Sequence, residues 1–109
     1  MEIIVNKLKF KDLFSLAKII NKLDISNGKL PENFAEKKPQ EMALIAFDLL
    51  LGGLEGVEED FYNFVASVSN VPRNDVPNME IDDIKTFLQK FVEVNDIEEV
   101  FTQAKNMLK

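Results

Sequence analysis

The groupings in this chain that could do chemistry are of carboxylates, among nineteen Asp and Glu. Two acidic runs, Glu58-Glu59-Asp60 and Asp82-Asp83, have the residue types of a magnesium site or of a general acid/base pair. A third stretch, "NDVPNMEIDD" from Asn74 to Asp83, offers oxygen ligands of the kind calcium takes. Neighbouring residues of a helix project about 100° apart, so acidic runs chelate poorly. The positive end of a helix also attracts acids without any site being present. "NDVPNMEIDD" lacks the central Gly and the spacing of an EF-hand. The sequence has no His and no Cys, which removes the commonest general base, the usual metal ligands and the thiol nucleophile. Gly28, Gly52, Gly53 and Gly56 match neither the Walker nor the dinucleotide phosphate loop. The expectation is a protein that is not an enzyme, with no catalytic, metal-binding or cofactor-binding residues.

What remains is apolar surface, and the elements that must carry it. The chain has 109 residues, 46% of them hydrophobic and 29% charged. That length fits a single domain, residues 1–109, burying roughly two thirds of its unfolded surface. The start "MEIIVNKLKFKD" lacks the basic region, apolar core and cleavage site of a secretory signal. A cytoplasmic location is expected, and the absence of cysteine is compatible with it. The least polar stretch, "EMALIAFDLLLGGL" (Glu41 to Leu54), is interrupted by Asp48 and is too short for a membrane span of about 20 residues. It must be buried against this chain, against copies of it, or against another protein.

Charge divides the chain in two. Residues 1–40 carry eight Lys and five acids, and residues 41–109 carry five Lys or Arg and fourteen acids, so a net +3 precedes a net −9. Lys7, Lys9, Lys11, Lys18 and Lys22 form the one basic cluster. It reads either as a solvated helix face or as a surface that docks an acidic partner, including the distal part of another copy. The acidic remainder argues against nucleic acid as a partner.

The fold class predicted is all-α, with about five short helices behind an extended N-terminal arm. In a first helix from Phe10, the residues Phe10, Leu13, Phe14, Ala17, Ile20 and Leu23 recur at helical spacing as its apolar stripe. "DISNGKLPEN" (Asp24 to Asn33) ends it, and Phe34 is a candidate anchor in the connector that follows. Pro39 suits the first turn of a second helix, and Gly52-Gly53 is read as a turn that stops it. A third helix from about Val57 to Val68 starts with its acids and carries Val57, Phe61, Phe64, Val65 and Val68. "NVPRNDVPN" is read as a stiff loop. A fourth helix from about Asp82 to Val94 carries Ile84, Phe87, Leu88, Phe91 and Val92. Asn95 or Asp96 can cap a fifth, which carries Ile97, Val100, Phe101, Ala104 and Leu108. The second helix is apolar nearly all round, so some of Leu44, Phe47, Leu51 or Leu54 is left for a partner. Tyr62 lies about 100° from the Phe61–Phe64 face and reads as a boundary residue or an interface aromatic.

This organisation resembles the small tail assembly chaperones of long-tailed bacteriophages, especially those infecting Gram-positive hosts. The resemblance lies in "KFKDLFSLAKIINKLD", "MALIAFDLLLGGL" and "VEEDFYNFVASV". It extends to the ending "VPNMEIDDIKTFLQKFVEVNDIEEVFTQAKNMLK". The resemblance implies binding of the tape measure protein, a long, helical, aggregation-prone chain that sets tail length. It implies displacement when the major tail protein, a further candidate partner, polymerises. It also implies self-association into rings or spirals, residence in the host cytoplasm, and absence from the mature virion. No membrane partner is expected. The surface around Met42, Ile45, Leu49, Phe61 and Tyr62 is the predicted protein-binding region. The alternative reading is a small phage-encoded adaptor or inhibitor of a host protein.

Overall fold

A computed structural model describes residues 2–23 and 36–107, and within the helices the side chains of residues 23, 53–55, 97, 101, 105 and 107 lie outside that description. The expectations for Asp24 to Asn33, for Phe34, for Leu108 and for the side chains of Leu54, Ile97 and Phe101 therefore fall outside the described residues. The architecture is all-α, as predicted.

Helix α1 spans Phe10–Leu23. Its first turn closes with a reciprocal cap, in which the Lys9 N–H donates to Asp12 Oδ2 at 3.0 Å and the Asp12 N–H donates to the Lys9 carbonyl at 2.9 Å. The first bond is the acid's half of a capping box, here made by Asp instead of Glu, and the second is a backbone turn bond. The buried face of α1 is Asp12, Leu13, Leu16, Ala17, Ile19 and Ile20. That corrects the predicted stripe, because Phe10 is 72% exposed and Phe14 51% exposed. The reason is angular. Leu16 and Ile19 pull the centre of the apolar face round by their bulk, and at about 100° per residue Phe10 and Phe14 fall outside it.

Helix α2 spans Pro39–Val68, thirty residues without interruption. Pro39 sits in its first turn, as predicted. The Gly52-Gly53 turn does not occur, and the second and third predicted helices are one. A helical Gly costs only about 1 kcal/mol relative to Ala, and the buried residues on either side keep one register. Ala43, Leu50, Val57 and Phe64 follow at intervals of seven, joined by Met42, Phe61, Val65 and Val68, and all are buried. Burial of one continuous stripe outweighs two poor helix formers. Glu58, Glu59 and Asp60 consequently lie inside a helix rather than at its start. Two of them reach other segments, Asp60 to Lys22 Nζ at 2.7 Å and Glu59 to Arg73 at 2.5 Å.

The stretch read as a stiff loop holds a short 3-10 helix, Arg73–Asn78, which buries Val76. Helix α3 spans Ile81–Val94 and helix α4 Ile97–Met107. Phe87, Leu88 and Phe91 of α3 are buried, as is Ala104 of α4. The α2–α3 seam is aromatic. Phe61 meets Phe87 edge-on at 6.4 Å, Phe64 meets Phe91 edge-on at 5.4 Å, and Phe87 stacks on Phe91 at 6.2 Å. Such pairs add about 0.5–1.5 kcal/mol each to the burial of the rings. Asp96 caps α4, its Oδ1 accepting the Glu99 N–H at 3.2 Å.

The N-terminal arm is extended, as predicted, and it has a partner. Val5 bridges Ser69 in antiparallel sense. The Asn6 N–H donates to the Val68 carbonyl at 2.7 Å, satisfying an acceptor that the end of α2 leaves open. Asn70 clasps the arm with its side chain, accepting from the Ile4 N–H at 2.9 Å and donating to the Glu2 carbonyl at 3.0 Å. Lys90 Nζ donates to the Ile3 carbonyl at 2.6 Å, and Asn95 Oδ1 accepts the Leu8 N–H at 3.0 Å. Ile3, 1% exposed, is the arm's anchor in the core.

Candidate protein-binding surface

The five residues predicted to form a protein-binding region divide by burial. Met42 and Phe61 are core, at 6% and 7% exposed, and Phe61 is held against Phe87. Ile45 and Leu49 are half-buried and pack against the core. Tyr62 is half-buried, and the Arg73 guanidinium lies 4.9 Å from its ring centroid. Arg73 is itself fixed, its Nε donating to Asn63 Oδ1 at 2.8 Å and its Nη2 pairing with Glu59. One partner of the Tyr62 ring is therefore supplied from within the chain. The structure thus brings none of the five into an exposed cluster.

Two other surfaces hold exposed large apolar side chains of the described residues, while Ile4 and Ile81 are exposed apart from both. One is on α2, where Leu44 and Leu51 are exposed, as the all-round apolar pattern suggested, while Phe47 is half-buried under Lys85. The other lies where the arm and the start of α1 meet the junction of α3 and α4. A groove of about 440 Å³ opens there, with Leu8, Leu13, Val94 and Val100 among its lining. Phe10 forms its lip, and the Phe14 ring stands edge-on to Phe10 at 5.3 Å. Lys7 and Lys9 line the arm side, and Asp96 and Glu99 the α4 side.

Each element places its part of this groove for a local reason. The Asp12 cap fixes where α1 starts, and so where Phe10 leaves the core. Asn95 ends α3, its Nδ2 donating to the Phe91 carbonyl at 3.1 Å, while its Oδ1 holds the Leu8 N–H. One side chain therefore joins both walls. Sequence reasoning missed Phe10 and Phe14 as surface residues. The available signal was Leu16 and Ile19, whose inclusion moves the apolar stripe away from both aromatics.

Chemically the groove offers shape, apolar area and charges of both signs. Among the described residues no three acidic side chains converge to hold a metal ion. Among the described residues, too, no helix is long and apolar enough to cross a membrane. Compared with known protein families, curated proteins and solved structures, the chain matches none.

Proposed function

We propose that this chain is a non-catalytic tail assembly chaperone, which binds and solubilises a phage tape measure protein before the tail tube polymerises and is then displaced. The observation that carries this reading is the groove beside Phe10, a side chain 72% exposed in a cleft lined by Leu8, Leu13, Val94 and Val100 together with charged residues of both signs. Large exposed aromatics beside a cleft are characteristic of surfaces that receive another protein. The apolar lining of the groove offers a seat for the apolar side chains of an amphipathic helix, the recurring form of helix-in-groove recognition. Lys7 and Lys9 on one side and Asp96 and Glu99 on the other orient such a helix by charge. Contacts of this size are weak singly, which favours release by displacement without a chemical step. The segments "KFKDLFSLAKIINKLD" and "VEEDFYNFVASV", which resemble those of phage tail chaperones, support a tape measure protein as the client.

The test is co-expression with a phage tape measure protein, recording its soluble yield and the number of copies bound. A soluble client carrying many copies supports the proposal. An insoluble, unbound client overturns it and leaves an adaptor of a host protein as the leading reading.

A further inference from the structure

The groove beside Phe10 has walls of opposite sign that do not close on each other. In the extended arm Lys7 and Lys9 lie two residues apart and so share a side, while Leu8 between them packs against the core. On the other wall Asp96, Glu99 and Gln103 follow at spacings of three and four, one row along α4 and its cap. Lys7, Lys9, Asp96 and Glu99 are all exposed. Among the described residues the ion pairs are Lys22–Asp60 and Arg73–Glu59, so none crosses the groove. Asn95 sets the spacing of the walls, since its side chain bonds Leu8 on the arm and Phe91 on α3 at once.

We infer that the groove selects an amphipathic helix whose two flanks carry opposite charge, acids against Lys7 and Lys9 and bases against Asp96 and Glu99, and that this pairing sets the direction in which the helix lies. The inference deepens the proposed function and rests on its reading of the groove as the seat of a helix. A helix seated by its apolar stripe presents one flank to each wall. Turning it end for end exchanges the flanks, so only one direction satisfies both walls. A helix with one sign on both flanks meets like charge at one wall in either direction. The chain as a whole, at −6, attracts any basic helix from a distance, but that attraction is blind to how the charges are arranged. Discrimination between arrangements belongs to the two walls.

The experiment is fluorescence anisotropy on the full chain at low salt, with three designed helical peptides that share one leucine stripe. They differ in their flanks: acids on one and lysines on the other, acids on both, or lysines on both. The first should bind most tightly and each of the others roughly tenfold more weakly, since exposed charge contacts contribute little singly. High salt should level the three. Lys7→Glu/Lys9→Glu should keep its helix content and shift the preference to the peptide with lysines on both flanks. Exchanging the flanks of the first peptide should preserve its affinity and reverse its direction. A nitroxide on its N-terminus should then broaden amide signals at the opposite end of the groove. A wild-type preference for lysines on both flanks would reveal bulk charge alone and overturns the inference. Equal binding of the three, no binding of any, or an unchanged direction overturns it too. Equal binding still leaves the groove as a helix seat, and client solubilisation is read separately, so the chaperone proposal stands or falls by its own experiment.

Discussion

Ser67 on α2 donates its hydroxyl to one carboxylate oxygen of Asp12 on α1, and the other oxygen of that carboxylate accepts the Lys9 N–H at 3.0 Å. Asp12 is 2% exposed. A buried carboxylate is tolerated only when its acceptors are used, and this one ties the start of α1 to the last turns of α2. Replacing Ser67 with Ala strands one oxygen and should cost about 1–3 kcal/mol. Urea denaturation followed by far-UV circular dichroism checks this. A midpoint equal to that of wild type would mean the bond contributes nothing.

The continuity of α2 makes an opposite prediction at Gly52. A Cβ built there meets nothing within 4 Å, and the residue is helical and exposed. Gly52→Ala should therefore stabilise the protein by about 0.5–1 kcal/mol, chiefly by restricting the unfolded chain. Thermal melts would show a rise of several degrees. A fall in Tm would point to a turn at this position.

The arm should respond to Asn70 without the core following. Asn70→Ala removes the side-chain bonds to Ile4 and Glu2, each exposed and worth about 1 kcal/mol. Hydrogen exchange at the Ile4 and Asn6 amides should accelerate, while amides in the middle of α2 and α3 keep their protection. Ile3→Ala, which empties a core position, should instead cost about 2–5 kcal/mol and lower protection everywhere.

Leu44 and Phe61 separate surface from core among the residues first singled out. Phe61→Asp puts a charge against Phe87 and should unfold the protein, whereas Leu44→Asp should leave its helix content and Tm near wild type. Circular dichroism of the two variants decides this, and equal destabilisation would contradict the burial pattern.

The fold was legible where periodicity and punctuation agreed. Pro39 marked the start of α2, and the stripe of Phe87, Leu88 and Phe91 marked α3. The Gly pair signals a turn only locally, while the seven-residue interval from Ala43 to Phe64 runs straight through it. The arm's partner was not legible, since one bridge at Ser69 and clasps from Asn70, Lys90 and Asn95 arise only from tertiary proximity. At the candidate surface, the exposure of Leu44 and Leu51 followed from an apolar girth too wide for one core. Phe10 and Phe14 were hidden because helical spacing alone does not say which of two neighbouring stripes faces inward, and there the volumes of Leu16 and Ile19 decide. Tyr62 read as a boundary aromatic, but Arg73, eleven residues on, could not be placed over its ring from spacing.

The most direct measurement is the soluble yield of the tape measure protein co-expressed with wild type or with Phe10→Asp/Val94→Asp, both substitutions at exposed positions of the groove. The account predicts soluble client with wild type, and loss of the client to the insoluble fraction with a variant that keeps its helix content and Tm. A folded variant that solubilises the client as well as wild type would contradict the groove as the binding site, and an insoluble client with wild type would contradict the function itself.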